Sequence, residues 1–161
     1  MMFGPGRRPA YPKGTKVVEL TGIPKIDVGA PIPTVVGNEY RLSLLYHLPN
    51  PHPDWDGTNP RVVGPDSEEP IACIRFGGLG NHRLGEPDEN ALFTHPLYEL
   101  GLRHYGAFEI IHPRRKGPSR HLFLTFHDSS FEVEACDYTV HHLGTRSLIQ
   151  AAKTELDEWI K

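Results

Sequence analysis

The chain has 161 residues, a net charge of −3, and 16 glycines and 16 prolines. This length suits one domain. The glycine and proline content excludes a long-helix bundle in favour of short strands and many turns, and the near-balanced charge excludes a wholly disordered chain and argues against a protein that coats nucleic acid. No apolar run approaches the about 18 residues of a membrane helix, and the N-terminal MMFGPGRRPAYPKG lacks the apolar core of a secretory signal, so a cytoplasmic protein without a membrane span is expected.

Residues 1–14 read as a flexible arm ahead of a single globular domain over 15–161. A short strand is predicted at 15–20, followed by proline-punctuated extended chain over 22–37. Over 38–48 apolar and polar residues alternate. Tyr40, Leu42, Leu44, Tyr46 and Leu48 share one face; Arg41, Ser43, Leu45 and His47 share the other. This pattern predicts a long, half-buried strand. The proline-rich 49–69 reads as one long loop. Strands are predicted at 70–76 and 103–112, with the loop GGLGNHRLGEP and a short helix over 96–100 between them.

Residues 120–141 read as a β-hairpin turning at 127–130. The predicted register sets Phe126 against Phe131, Leu124 against Val133 and Leu122 against Ala135, so one face is wholly apolar. The other face carries His121, His127, Glu132, Glu134 and Cys136. Gly144 and Thr145 end the strands. Ser147-x-x-Gln150 fits a capping box for a C-terminal helix. Leu148, Ala152, Leu156 and Trp159, joined by Ile149 and Ile160, are placed on its packed side. Lys153, Glu155, Asp157 and Glu158 are placed in water. The fold expected is α+β: an antiparallel twisted sheet or small open β-barrel with the C-terminal helix packed on it.

Histidine stands out, with ten in the chain against about two or three per hundred in ordinary proteins. On the polar hairpin face, His127, Glu132, Glu134 and His121 are the candidate catalytic residues. Imidazoles beside carboxylates suit proton transfer or a divalent metal; the plain alternative is a solvated face of cross-strand pairs. No H-E-x-x-H or C-x-x-C is present, so neither metal nor cofactor is identified. Candidate ligand-binding residues are Trp55 in the long loop, His82 and Arg83 after the glycine-rich turn, and Arg114 and Arg115 in the basic loop before the hairpin. The glycines of GGLG match no nucleotide fingerprint and read as a tight turn. Cys73 and Cys136 read as reduced thiols.

The stretches HPLYELGLRHYGAFE and HLFLTFHDSSFEVEA, within residues 72–135, resemble a pattern in small uncharacterised bacterial proteins. The resemblance implies a bacterial source and no activity, fold or cofactor. Three functions follow from the residues. The first is a binding or accessory module for a protein or an anionic ligand. The second is a small enzyme working through the hairpin face. The third is a homo-oligomeric structural accessory protein, which a large apolar contact between copies would favour.

Overall fold

A computed structural model describes residues 11–50 and 62–160. Among these residues, nine strands form two antiparallel sheets. They are β1 (Lys16–Glu19), β2 (Thr34–Gly37), β3 (Leu42–His47), β4 (Glu69–Gly77), β5 (His82–Gly85), β6 (Ala107–Ile111), β7 (Arg120–Thr125), β8 (Ser130–Ala135) and β9 (Asp137–Arg146). One sheet has the order β1-β6-β7-β8-β5, the other β2-β3-β4-β9. Helix α1 (Leu148–Ile160) packs on the second sheet. The fold is α+β. Two sheets share the work expected of one, and neither closes into a barrel.

The main core lies between the sheets. Leu44, Tyr46, Ile74 and Phe76 of the four-stranded sheet meet Leu122, Leu124, Phe131 and Val133 of the five-stranded one. The outer face of the four-stranded sheet sends Val36, Leu45, Ile71 and Cys73 against Leu148 and Ala151 of α1. A third cluster lies on the outer face of the five-stranded sheet. There Phe108, Ile110 and Phe123 are covered by Leu92, Leu97 and Leu102. β3 is therefore buried on both faces, where alternation predicted a half-buried strand. Of its polar side, Ser43 turns under the helix to meet Glu155, and His47 is buried as well.

Several expectations change at the level of detail. A 3-10 turn over Leu92–Thr94 replaces the short helix at 96–100. Beyond it the chain makes three-residue turns, Tyr98 N–H to His95 O and Leu100 N–H to Leu97 O, while His95 Nδ1 takes the N–H of Leu97 at 3.1 Å. Pro96 has no N–H to extend a helical ladder. The loop after β4 contains β5, a four-residue edge strand. The turn that leads there needs Gly78 at φ +62, where a Cβ would meet Cys136 Sγ at 2.5 Å.

The hairpin forms with its faces as predicted and its register moved by two. Leu124 pairs with Phe131, Leu122 with Val133 and Thr125 with Ser130. The turn is closed by Phe126 N–H to Ser129 O at 2.9 Å, which brings the strands together earlier than a turn at 127–130 would. The chain after Cys136 does not prolong the hairpin. β9 crosses to the other sheet and pairs with β4.

The capping box is present. Gln150 N–H donates to Ser147 Oγ, and Ser147 N–H to Gln150 Oε1, both at 3.1 Å. The buried side of α1 is Leu148, Ala151 and Glu155, whereas Ile149, Leu156 and Ile160 are exposed. The helix is thus rotated from the face its apolar spacing predicted. What turns it is Glu155, which is held inside by charge and not by greasiness. Arg75 grips its carboxylate with two hydrogen bonds of 3.0 and 2.6 Å, and Ser43 Oγ adds a third at 2.7 Å. Burial alone would push this carboxyl up, but those three donors outweigh it and hold it below the usual range.

Candidate functional site

The outer face of the five-stranded sheet has a covered end and an open end. Its residues line up in rows across the strands. One row runs Phe108, Phe123, Glu132, Arg83 from β6 through β7 and β8 to β5; the next runs Ile110, His121, Glu134. The 92–102 segment covers the apolar half of both rows. The cover stops at Phe123, and the polar half beyond it floors an open depression of about 160 Å³. Asn81, His82, Arg83, His121, Glu132 and Glu134 line it.

His121 is the most enclosed of these groups, at 8% exposed. Its Nε2 lies 3.1 Å from Glu132 Oε2, and its Nδ1 lies 2.9 Å from Nε2 of His112, whose ring stacks on it at 6°. The proton order follows from the carboxylate. An ionised carboxylate only accepts, so His121 Nε2 carries a proton and donates it. Its Nδ1 then accepts from His112 Nε2–H. His112 Nδ1 is left as the terminal basic atom of a carboxylate–imidazole–imidazole chain. Burial lowers the His112 pKa, and the neighbouring His121 and Arg115 add to that, with Glu134 opposing. A neutral His112 ring is what the chain requires.

Charge at the rim is arranged in pairs. Arg83 reaches Glu132 Oε1 at 3.3 Å and also donates to the Glu86 carbonyl at 2.8 Å. Arg115 reaches Glu134 at 3.0 Å. With both histidines neutral the two arginines balance the two glutamates. A proton taken by the chain therefore leaves the depression positive, which favours an anion there.

The structure thus brings together His121, Glu132 and Glu134 with His82, Arg83 and Arg115, two groups of candidates that the sequence separated. His127 is not among them. It sits at the hairpin turn, with Nδ1 3.1 Å from Glu89 Oε2 and 3.2 Å from the Tyr105 hydroxyl, which itself donates to Glu89. Burial and the Glu89 bond push the Tyr105 hydroxyl up to about 12. Arg114 is exposed and does not line the depression. Trp55 lies outside the described residues. Among the described residues no three His, Cys, Asp or Glu side chains are gathered as a metal ion would need, and no helix is long and apolar enough to cross a membrane.

His112 was missed as a site residue. His112 had a readable signal: it lies on the face of Ile110, which pairs with His121. Reading it required knowing that β6 pairs with β7. Comparison with protein-family models, curated proteins and solved structures finds no match.

Proposed function

We propose that this is a cytoplasmic binding module that takes a small anion-bearing ligand, a carboxylate or phosphate, in the depression over His121, with a proton taken up as it binds. The observation that carries this reading is the Glu132–His121–His112 chain beside Arg83 and His82 of the depression, with Arg115 paired to Glu134 next to it. Burial lowers the proton affinity of the imidazole at the end of the chain. An anion raises the proton affinity of that imidazole, so ligand and proton bind together. At about 160 Å³ the depression is smaller than the roughly 300 Å³ of a drug-sized pocket and suits a group of few atoms.

The test is calorimetric titration with inorganic phosphate and with acetate near pH 6 and pH 8, in buffers of different ionisation enthalpy. Saturable binding at pH 6, with proton uptake that is lost in His112→Gln, is the expected result. No binding of either anion at either pH sinks the reading.

A second reading, proton-transfer catalysis, is favoured by the order of the same chain. A carboxylate fixes one imidazole, which leaves a basic nitrogen on the next, the arrangement by which side chains are activated as bases.

A further inference from the structure

A second cavity, of about 250 Å³, opens on the opposite side of the molecule, where the C-terminal turn of α1 overhangs β3 and β4. Ser43, Arg75, Phe76, Arg41 and Trp159 are among its lining residues. We propose that it is a binding site for a single-ring aromatic acid, independent of the depression over His121. The ring would lie against Trp159 and the carboxylate against Arg75 and Arg41.

Four features support this assignment. The first is the posture of Arg75. Its Nε and Nη2 each give a hydrogen bond to the buried Glu155, which holds the guanidinium rigid. A guanidinium has five N–H donors in a planar fork. Two are used on Glu155, and the side chain is still 36% exposed, so an unused edge of a fixed fork faces the cavity. A bidentate carboxylate is the group that matches such an edge.

The second feature is Arg41. It stands exposed at the rim, and its side chain has no hydrogen bond or ion pair among the described residues; only its backbone is engaged, by Asn38. It supplies a mobile second cation. Glu155 cancels the charge of Arg75, so Arg41 provides the attraction that Arg75 by itself does not.

The third feature is the aromatic wall of Trp159. Trp159 is half-buried against the helix-side core, which fixes one edge of the indole and leaves the rest available. A flat ring gains from stacking on that indole without disturbing the core behind it.

The fourth is size. A dry cavity of about 150 Å³ accepts benzene, and 250 Å³ leaves room for a ring and its carboxylate.

The experiment uses Trp fluorescence. The chain has two tryptophans, so Trp55→Phe makes Trp159 the reporter. Benzoate, benzyl alcohol, acetate and benzylamine are titrated into this protein and into its Arg41→Gln derivative, with folding checked by circular dichroism. The expected result is saturable change with benzoate, at least about tenfold weaker with benzyl alcohol or acetate, and about tenfold weaker for benzoate in Arg41→Gln. Arg41 is exposed, so this substitution leaves the fold intact. Benzoate that produces no saturable change overturns the proposal. So does benzylamine binding as tightly as benzoate, or an affinity for benzoate unchanged by Arg41→Gln. Competition by phosphate at the His121 depression is expected to leave benzoate affinity unchanged; a shift would show that the two sites are not independent.

Discussion

His121 and Glu132 meet at 3.1 Å although they are not opposite one another on the hairpin. His121 faces Glu134 directly, and Glu132 lies one pair nearer the turn, opposite Phe123. The contact is diagonal, and it exists because Phe123 is pulled under the 92–102 cover. Glu132 then has no polar group across from it on β7 and leans instead toward His121, while Arg83 holds its other oxygen from β5. A diagonal pair on one sheet face is within reach of side chains of this length.

The titration of His112 ties this site to stability. Its folded pKa is lowered, so over the window between that value and the ordinary imidazole range the unfolded chain binds a proton that the folded chain refuses. Stability from this group is full above the imidazole range and is lost as pH falls through that window. Urea midpoints at about pH 7.5 and 5.5 should therefore fall on acidification, and His112→Gln should reduce that fall. A drop of equal size in the variant would assign it to other groups.

The buried ion pair makes a separate prediction. Arg75→Ala leaves a carboxylate with 0% exposure supported by Ser43 alone. Breaking a buried pair costs about 3–5 kcal/mol, whereas replacing both members with apolar groups is often neutral. Arg75→Met with Glu155→Leu should recover most of the loss in a denaturant melt. A double variant as unstable as Arg75→Ala would mean that the charges themselves hold α1 in place.

Phe126 and Phe131 lie in the core between the sheets, at 1% and 0% exposure; Phe126 meets Tyr46 edge-on at 5.4 Å. Truncating either to alanine should cost about 3–5 kcal/mol. A measured loss below about 1 kcal/mol would show that the hairpin does not contribute to that core.

The two thiols should differ in reactivity. Burial, reinforced by the nearby Glu155, pushes Cys73 up to about 12, and the residue lies between the four-stranded sheet and α1. Cys136 is only partly buried. With a thiol-exchange reagent the native protein should show one fast thiol, removed by Cys136→Ser, and a second only on unfolding. Two fast thiols would contradict the packing of α1 over Cys73.

Much of this architecture is written in local pattern. Alternation marks β3, β7 and β8 and a short apolar run marks β4, although β3 proves to be buried on both faces. The Ser147 and Gln150 box marks the start of α1 because those side chains satisfy N–H groups that no helical carbonyl reaches. The polar face of the hairpin was also readable, and with it His121, Glu132 and Glu134 as residues of one side.

Other features have no local signature. A register moved by two keeps every side chain on its own face, so the apolar pattern of the hairpin fits both pairings; closure at Phe126 and Ser129 selects one. β5 is an edge strand, mostly exposed, and lacks any apolar period. Glu155 reads as a wet residue until Arg75 and Ser43, 80 and 112 positions away, are placed beside it. His127 belongs to Glu89 and Tyr105 for the same reason. Hydrophobic periodicity reports which side of an element is buried. It does not report which charged group waits on that side, because a charge is made tolerable by its partner, and the partner arrives only when distant segments pack.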